Sequence, residues 1–289
     1  WELWLSLSFG LTNNIKKGSN TMLKEMLKNV REKTPLIHNI TNYVTVNDCA
    51  NILLACGASP IMADDIGEVE EITSICTGLN INIGTLNERT IAAMLAAGKK
   101  ANELNHPTLL DPVGAGASKL RTHTAKELLK QVKFSVIRGN ISEIKSLYLG
   151  STSTKGVDAD IADFVNKENL PQTVKFAKEF AKKTGSVIVI TSAIDIVADS
   201  ETAYCIHNGD AMMSRITGSG CQLSAMMAAY ISANKEDTLK AALACVCAMG
   251  LCGEIAKKRM SEQDGNSTYR NYLIDAVYNL SPEDLEKGA

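Results

Sequence analysis

Short runs of consecutive apolar residues, each separated from the next by a longer stretch of helical period, constrain this chain more than any other feature. In Ser186-Val-Ile-Val-Ile-Thr191 every residue between the two ends is apolar, so a strand there has no face left for water. Such a strand belongs to a parallel sheet covered by helices on both sides. Ser135-Val-Ile-Arg138 reads the same way, as does Thr108-Leu-Leu-Asp-Pro-Val113, which Pro112 stops and Gly114-Ala-Gly-Ala117 turns. Leu79-Asn-Ile-Asn-Ile-Gly84 alternates in strand period, and Ala58-Ser-Pro-Ile-Met-Ala63 is a brief strand. Helical spacing covers residues 22–32, 47–55, 69–77, 88–104, 122–133, 142–149 and 172–183, and the clearest late helix is 238–260. Residues 195–198 and 202–207 predict a small antiparallel pair, and the polar stretch 150–160 a surface loop. No linker or charge block divides the chain, so residues 22–289 predict one α/β domain with a largely parallel central sheet and helices on both faces. Residues 1–21 are expected to be an extension outside that fold: their apolar run is too short to span a bilayer, and the features of a secretory leader are missing.

A net charge of −2 and a pI near 6.2 give no basic stripe for nucleic acid or an anionic membrane. Eight cysteines occur without a CxxC pair or zinc spacing, which predicts reduced thiols and a cytoplasmic setting.

The chemistry centres on Arg215-Ile-Thr-Gly-Ser-Gly-Cys-Gln-Leu-Ser224. Two glycines bracket a serine, a cysteine follows, and the Ala- and Met-rich run after it predicts a buried helix. Free N–H groups and the dipole at such a helix start attract an anion, most often phosphate, and glycine lets the ligand approach the backbone. The same field predicts a more acidic, more reactive Cys221. Gly-x-Gly before a helix is common, and cysteine is a frequent small core residue, so the loop needs support from elsewhere. Ligands of doubly covered parallel sheets bind beyond the carboxyl ends of the strands, and Asp111, Arg138 and Thr191 all lie at such ends.

These motifs, with Pro35-Leu-Ile-His-Asn-Ile-Thr-Asn-Tyr-Val44, Gly57-Ala-Ser-Pro-Ile-Met-Ala63, Glu68-Val-Glu70 and Arg138-Gly-Asn-Ile-Ser-Glu143, make the chain from Met22 onward resemble the hydroxyethylthiazole kinases of the ribokinase-like superfamily. The resemblance implies phosphorylation of the primary alcohol of 4-methyl-5-(2-hydroxyethyl)thiazole by Mg-ATP, a salvage step towards thiamine, in a homotrimer whose thiazole sites lie between subunits. It implies Cys221 as the base, with Gly218 and Gly220 in the catalytic anion loop; most of the superfamily has aspartate where this family has cysteine. It implies ATP contacts at Arg138, Thr191 and Asn140, thiazole contacts at Met62 and Gly218, and magnesium-associated carboxylates at Asp111 and Glu143. For Glu143, a place in a first helical turn opposite the dipole is the structural alternative. For Met62 it is core packing. His38, Asn39, Asn42 and Asn47 either orient the ring or hydroxyl or cap the following helix.

Hydroxymethylpyrimidine kinase and NAD(P)H-hydrate dehydratase activities are the rivals within the fold, and Cys221 with the segment 39–44 argues against both. A nicotinamide oxidoreductase built on Gly114-Ala-Gly116 fails because Lys119 stands where the third fingerprint glycine belongs. A non-catalytic thiazole-binding protein does not explain a complete Asp111, Glu143 and Cys221 set. No Walker A motif is present in the sequence.

Overall fold

The computed structural model describes residues 19–149 and 165–288. Residues 1–18 of the expected extension and the expected loop at 150–160 lie outside them. The first helix begins at Ser19, three residues ahead of the Met22 start expected from periodicity. The elements run α1 (Ser19–Lys33), β1 (Leu36–Ile40), α2 (Val46–Cys56), β2 (Ser59–Met62), α3 (Val69–Ile75), β3 (Gly78–Asn82) and α4 (Glu88–Glu103). They continue β4 (Thr108–Asp111), α5 (Lys119–Gln131), β5 (Val136–Asn140), α6 (Ile141–Leu149), α7 (Leu170–Thr184) and β6 (Val187–Thr191). The hairpin β7 (Asp195–Ala198) and β8 (Ala203–Ile206) precedes α8 (Ser219–Ala233), α9 (Thr238–Arg259), α10 (Asn266–Asn279) and α11 (Pro282–Gly288).

One sheet has the order β2-β1-β3-β4-β5-β6-β7-β8. β1 to β6 are parallel, and β7 and β8 add antiparallel to one edge. Helices cover both faces, so the layering matches the sequence reading. α1, α2 and α8 to α11 build one apolar core, and α3 to α7 build the other.

Side chains alternate between these layers along each strand. In β4, Leu109 enters the α8 layer and Leu110 the opposite one, which returns Asp111 to α8. The same parity sends Leu79 and Ile81 of β3 away from α8, and Asn80 and Asn82 towards it. The sequence alternation in β3 therefore does not mark a solvent-facing side: all five of its residues are buried.

α8 is buried from Cys221 to Ala233 and packs on β1, β3 and β4. It starts at the carboxyl edge of the sheet, aligned with the polar strand ends. α9 has the length and apolarity of a membrane span, but 78% of its apolar window is buried within the protein, as in a core helix.

Candidate active site

Gly218 is the N-cap of α8 at φ 84°, a left-handed conformation that glycine adopts without penalty. A Cβ at Gly218 would overlap the methyl of Thr45, the N-cap of α2. The bare glycine thus lets two helix N-termini meet. Gly220 makes room for a side chain rather than for a backbone turn: its Cβ position lies 2.6 and 2.7 Å from the two terminal nitrogens of Arg138, so the guanidinium rests on the first turn of α8. The free N–H groups of that turn and a fixed cation therefore share one spot, a geometry suited to phosphate.

Arg138 Nη2 donates to Thr191 Oγ1 at 2.6 Å, and Nη1 lies 3.6 Å from Asp111 Oδ2. The strand ends of β4, β5 and β6 are thereby joined. Asp111 Oδ2 also accepts from Ser224 of α8 and from Asn82, both at 2.8 Å, while Oδ1 is buried without a hydrogen bond among the described residues. Burial pushes the Asp111 carboxyl up to about 6; Arg138 opposes this and Glu143 reinforces it.

Glu143 Oε2 accepts from Asn140 N–H while Asn140 Oδ1 accepts from Glu143 N–H, each at 2.8 Å. This is a reciprocal capping box at the start of α6. Glu143 Oε1 takes the Gly114 N–H at 2.8 Å, tying the turn after β4 to the same carboxylate. The structural alternative for Glu143 is thus realised, and Asn140 has a capping duty. Since each carboxylate oxygen carries two lone pairs, capping leaves Glu143 able to meet a hydrated cation. The unpartnered Asp111 Oδ1 suits the same group, and the residues fit magnesium held through its water shell. Among the described residues no three or more His, Cys, Asp or Glu side chains form a direct metal cage.

Cys221 is buried in the first turn of α8, and its sulfur accepts from Asn42 Nδ2 at 3.3 Å and Asn82 Nδ2 at 3.2 Å. The expectation of a more acidic thiol is corrected. Burial and then the Asp111 charge push the Cys221 thiol above its ordinary value, against the opposing effects of Thr45, Arg138 and Asn82. The dipole argument omitted the desolvation of a sulfur enclosed by two helices and a carboxylate.

The asparagines of the 39–47 segment separate by position. Asn42 contacts Cys221 and also accepts the Thr45 N–H at 3.2 Å, so it serves both the site and the start of α2. Asn39 lies inside the sheet, accepting from Asn80 and donating to the Ile37 carbonyl. Asn47 is exposed and accepts from Asn51 Nδ2, and His38 lies buried between Thr73 and the Ala63 carbonyl. Met62 is half-buried at the end of edge strand β2, beside Asn39 in register. The sequence reading missed Asn82, Ser224, Thr45 and Arg121. Arg121 donates to the Val113 and Gly84 carbonyls and so ties together the turns after β3 and β4. For Asn80 and Asn82 the sequence shows only the alternation of a strand with one wet face; their burial comes from α8 packing over β3.

The family model described as "Hydroxyethylthiazole kinase family" matches residues 27–283. A protein of Clostridium acetobutylicum called hydroxyethylthiazole kinase is 68% identical over 268 residues, covering 93% of this chain and 98% of the relative. The solved hydroxyethylthiazole kinase structure from Pyrococcus horikoshii is 34% identical at a TM-score of 0.79, covering 90% of this chain and 93% of that one. Pyridoxal kinase of Bacillus subtilis, 15% identical at a TM-score of 0.55, covers 79% of this chain and 93% of its own length and shares the fold alone.

Proposed function

The chain belongs to the hydroxyethylthiazole kinase family, and from that premise we propose that it transfers the terminal phosphoryl group of ATP to the hydroxyl of 4-methyl-5-(2-hydroxyethyl)thiazole, a step of thiamine salvage. One observation carries the site assignment: the glycine-bracketed N-terminus of α8 meets Arg138, Thr191 and Asp111 at the carboxyl edge of the sheet. The N–H groups of residues 219–221 and the Arg138 guanidinium grip the transferring phosphoryl group, and Thr191 fixes the guanidinium. The alcohol oxygen bonds to phosphorus as the bond to the ADP oxygen breaks. The alcohol proton passes to the Cys221 sulfur in its thiolate form, which becomes the neutral thiol, and negative charge leaves on ADP. Asp111 and Glu143 would hold a magnesium ion there, and when bound it would supply charge neutralisation on the phosphates.

A thiol pushed up by burial is mostly protonated at neutral pH, so its thiolate is a minor form. That suits phosphoryl transfer through a loose transition state, where positioning and charge dominate and a base contributes about 10²–10⁴-fold. Cys221→Asp is expected to stay active and Cys221→Ala to retain a measurable rate. The deciding assay is ADP release with the thiazole alcohol, hydroxymethylpyrimidine and pyridoxal offered side by side. A preference for either of the last two overturns the substrate assignment while leaving the fold intact.

The same reading makes the protein a homotrimer with thiazole bound at subunit boundaries, next to Met62, Gly218 and Asn42. Support comes from the open edge strand β2 and from Tyr43, Val44 and Ile66, apolar side chains 79%, 58% and 54% exposed in the loops after β1 and β2. Light scattering on the eluted protein tests it, and a monomer sinks it. Eight cysteines without a disulfide support a reducing, cytoplasmic setting.

A further inference from the structure

Asn82 sits where three parts of the site meet, and no motif singled it out. It is 1% exposed, at the end of β3, with its neighbour in register being Asp111. Its oxygen accepts the Gly84 N–H at 2.9 Å and Asn42 Nδ2 at 3.1 Å. Its nitrogen donates to Asp111 Oδ2 at 2.8 Å and to Cys221 Sγ at 3.2 Å. Two N–H groups and two oxygen lone pairs are the full capacity of a primary amide, and all four are used.

The orientation of this amide is set from outside. A backbone N–H can only donate, so Gly84 holds the oxygen side, and the nitrogen must face the carboxylate and the sulfur. Asn42 is held the same way: its oxygen accepts from Thr45 N–H and Oγ1, leaving its nitrogen to donate to Asn82 Oδ1 and Cys221 Sγ. Both amides therefore present N–H groups to sulfur. A thiolate has three lone pairs, and two such donors leave one for the proton arriving from the alcohol.

We propose that Asn82 is a positioning residue for phosphoryl transfer: its amide nitrogen aligns the Cys221 sulfur to receive the alcohol proton and links that sulfur directly to the Asp111 carboxylate. The inference rests on the reading of Cys221 as the proton acceptor. Asn82 touches neither nucleotide nor alcohol in this scheme and acts through sulfur. Its loss is felt in turnover rather than in ATP binding.

The test is a double-mutant cycle on the full-length protein, with kcat and KM measured for Asn82→Ala, Cys221→Ala and the pair. Asn82→Ala is expected to lower kcat by about 10²-fold, as for a misplaced reacting group, with the ATP KM within about two-fold. In the Cys221→Ala background the same change should cost little, because the group it positions is gone. An equal loss in both backgrounds overturns the proposal and assigns Asn82 to Asp111 or to folding. An unchanged kcat in Asn82→Ala overturns it directly. Full activity in Cys221→Ala removes the proton-acceptor reading, and this inference with it. Should Asn82→Ala not fold, Asn82→Ser leaves a hydroxyl near the Gly84 N–H while withdrawing from sulfur, and the same cycle is run with it.

Discussion

Gly218→Ala tests the meeting of the two helix starts, and its cost divides into two separable parts. The backbone at Gly218 has φ 84°, and an L-residue in the left-handed region costs about 1–2 kcal/mol. The new methyl would also overlap Thr45 Cγ2, and overpacking in a close-packed site costs about 1–3 kcal/mol. Neither partner yields easily. Gly218 O accepts the Gln222 N–H at 2.8 Å, and Thr45 O accepts the Cys49 N–H at 2.9 Å, so both residues are held by the helices they open. The sum is about 2–5 kcal/mol, a large share of the roughly 5–15 kcal/mol that holds an ordinary domain together. Urea unfolding should report it as a lower midpoint at unchanged slope. Thr45→Ser removes the offending methyl and keeps the hydroxyl that donates to Asn42. Placed on Gly218→Ala, it should return about 1–3 kcal/mol, leaving the backbone part in place. Strict additivity of the two changes, or a Gly218→Ala midpoint equal to wild type, refutes the steric account.

Three further outcomes follow from single groups. Gly220→Ala should leave the unfolding midpoint nearly unchanged, because the atoms it meets are the tip of Arg138, while displacing that guanidinium and raising the ATP KM by about ten-fold or more; an unaltered KM places Arg138 away from the nucleotide. Gln222 is wholly buried with no hydrogen-bond partner among the described residues at either end of its amide, so Gln222→Leu should stabilise by about 1 kcal/mol in the same urea assay, and destabilisation disproves the unsatisfied amide. Asp195, pushed up to about 6 by burial against the opposing Ser192 N–H and Arg138, binds its proton more tightly folded than unfolded. Its contribution is therefore full below the unfolded value near 4 and lost as pH rises through about 6, a change of about 2–3 kcal/mol. Asp195→Asn keeps an oxygen for the Ser192 N–H and should flatten that part of the stability profile, whereas an unchanged slope shows the carboxyl is not the cause.

What could be read from the chain was whatever repeats locally. Ser186-Val-Ile-Val-Ile-Thr191 announced a doubly covered strand because burial on both faces leaves no polar position in the run. Gly57 marked the end of α2, where the chain turns at φ 97°. Asn82 was illegible for the opposite reason. Its alternation with Ile81 and Ile83 is the pattern of a half-wet strand, and only the packing of α8 over β3 turns that face into interior. The acidity of Cys221 failed similarly. A helix start is visible in sequence, but the burial that chiefly raises the thiol, and the β4 carboxylate that adds to it, come from elements far along the chain that meet only in the fold. Glu143 caps α6, and because a capping carboxylate retains lone pairs, the two roles that sequence treats as rivals are compatible.

Those same contacts explain why sulfur suits position 221. In the polar seam under α8 the Arg138 guanidinium faces Asp111 at 3.6 Å, with Glu143 close enough to raise the Asp111 carboxyl. A second permanent carboxylate beside Asp111 would add a like charge where burial already penalises the first. A thiol is neutral until a proton leaves it, so Cys221 adds no standing charge to the resting site. Asn42 and Asn82 aim N–H groups at the sulfur, a gain that grows as thiolate forms. The fold thus keeps its buried seam tolerable in the free protein, because the resting site carries a neutral thiol. The thiolate that accepts the alcohol proton forms beforehand, as the thiol loses its proton to water, and the transfer returns position 221 to neutral. That arrangement requires the amides to be fixed by backbone partners, which the Gly84 and Thr45 N–H groups provide.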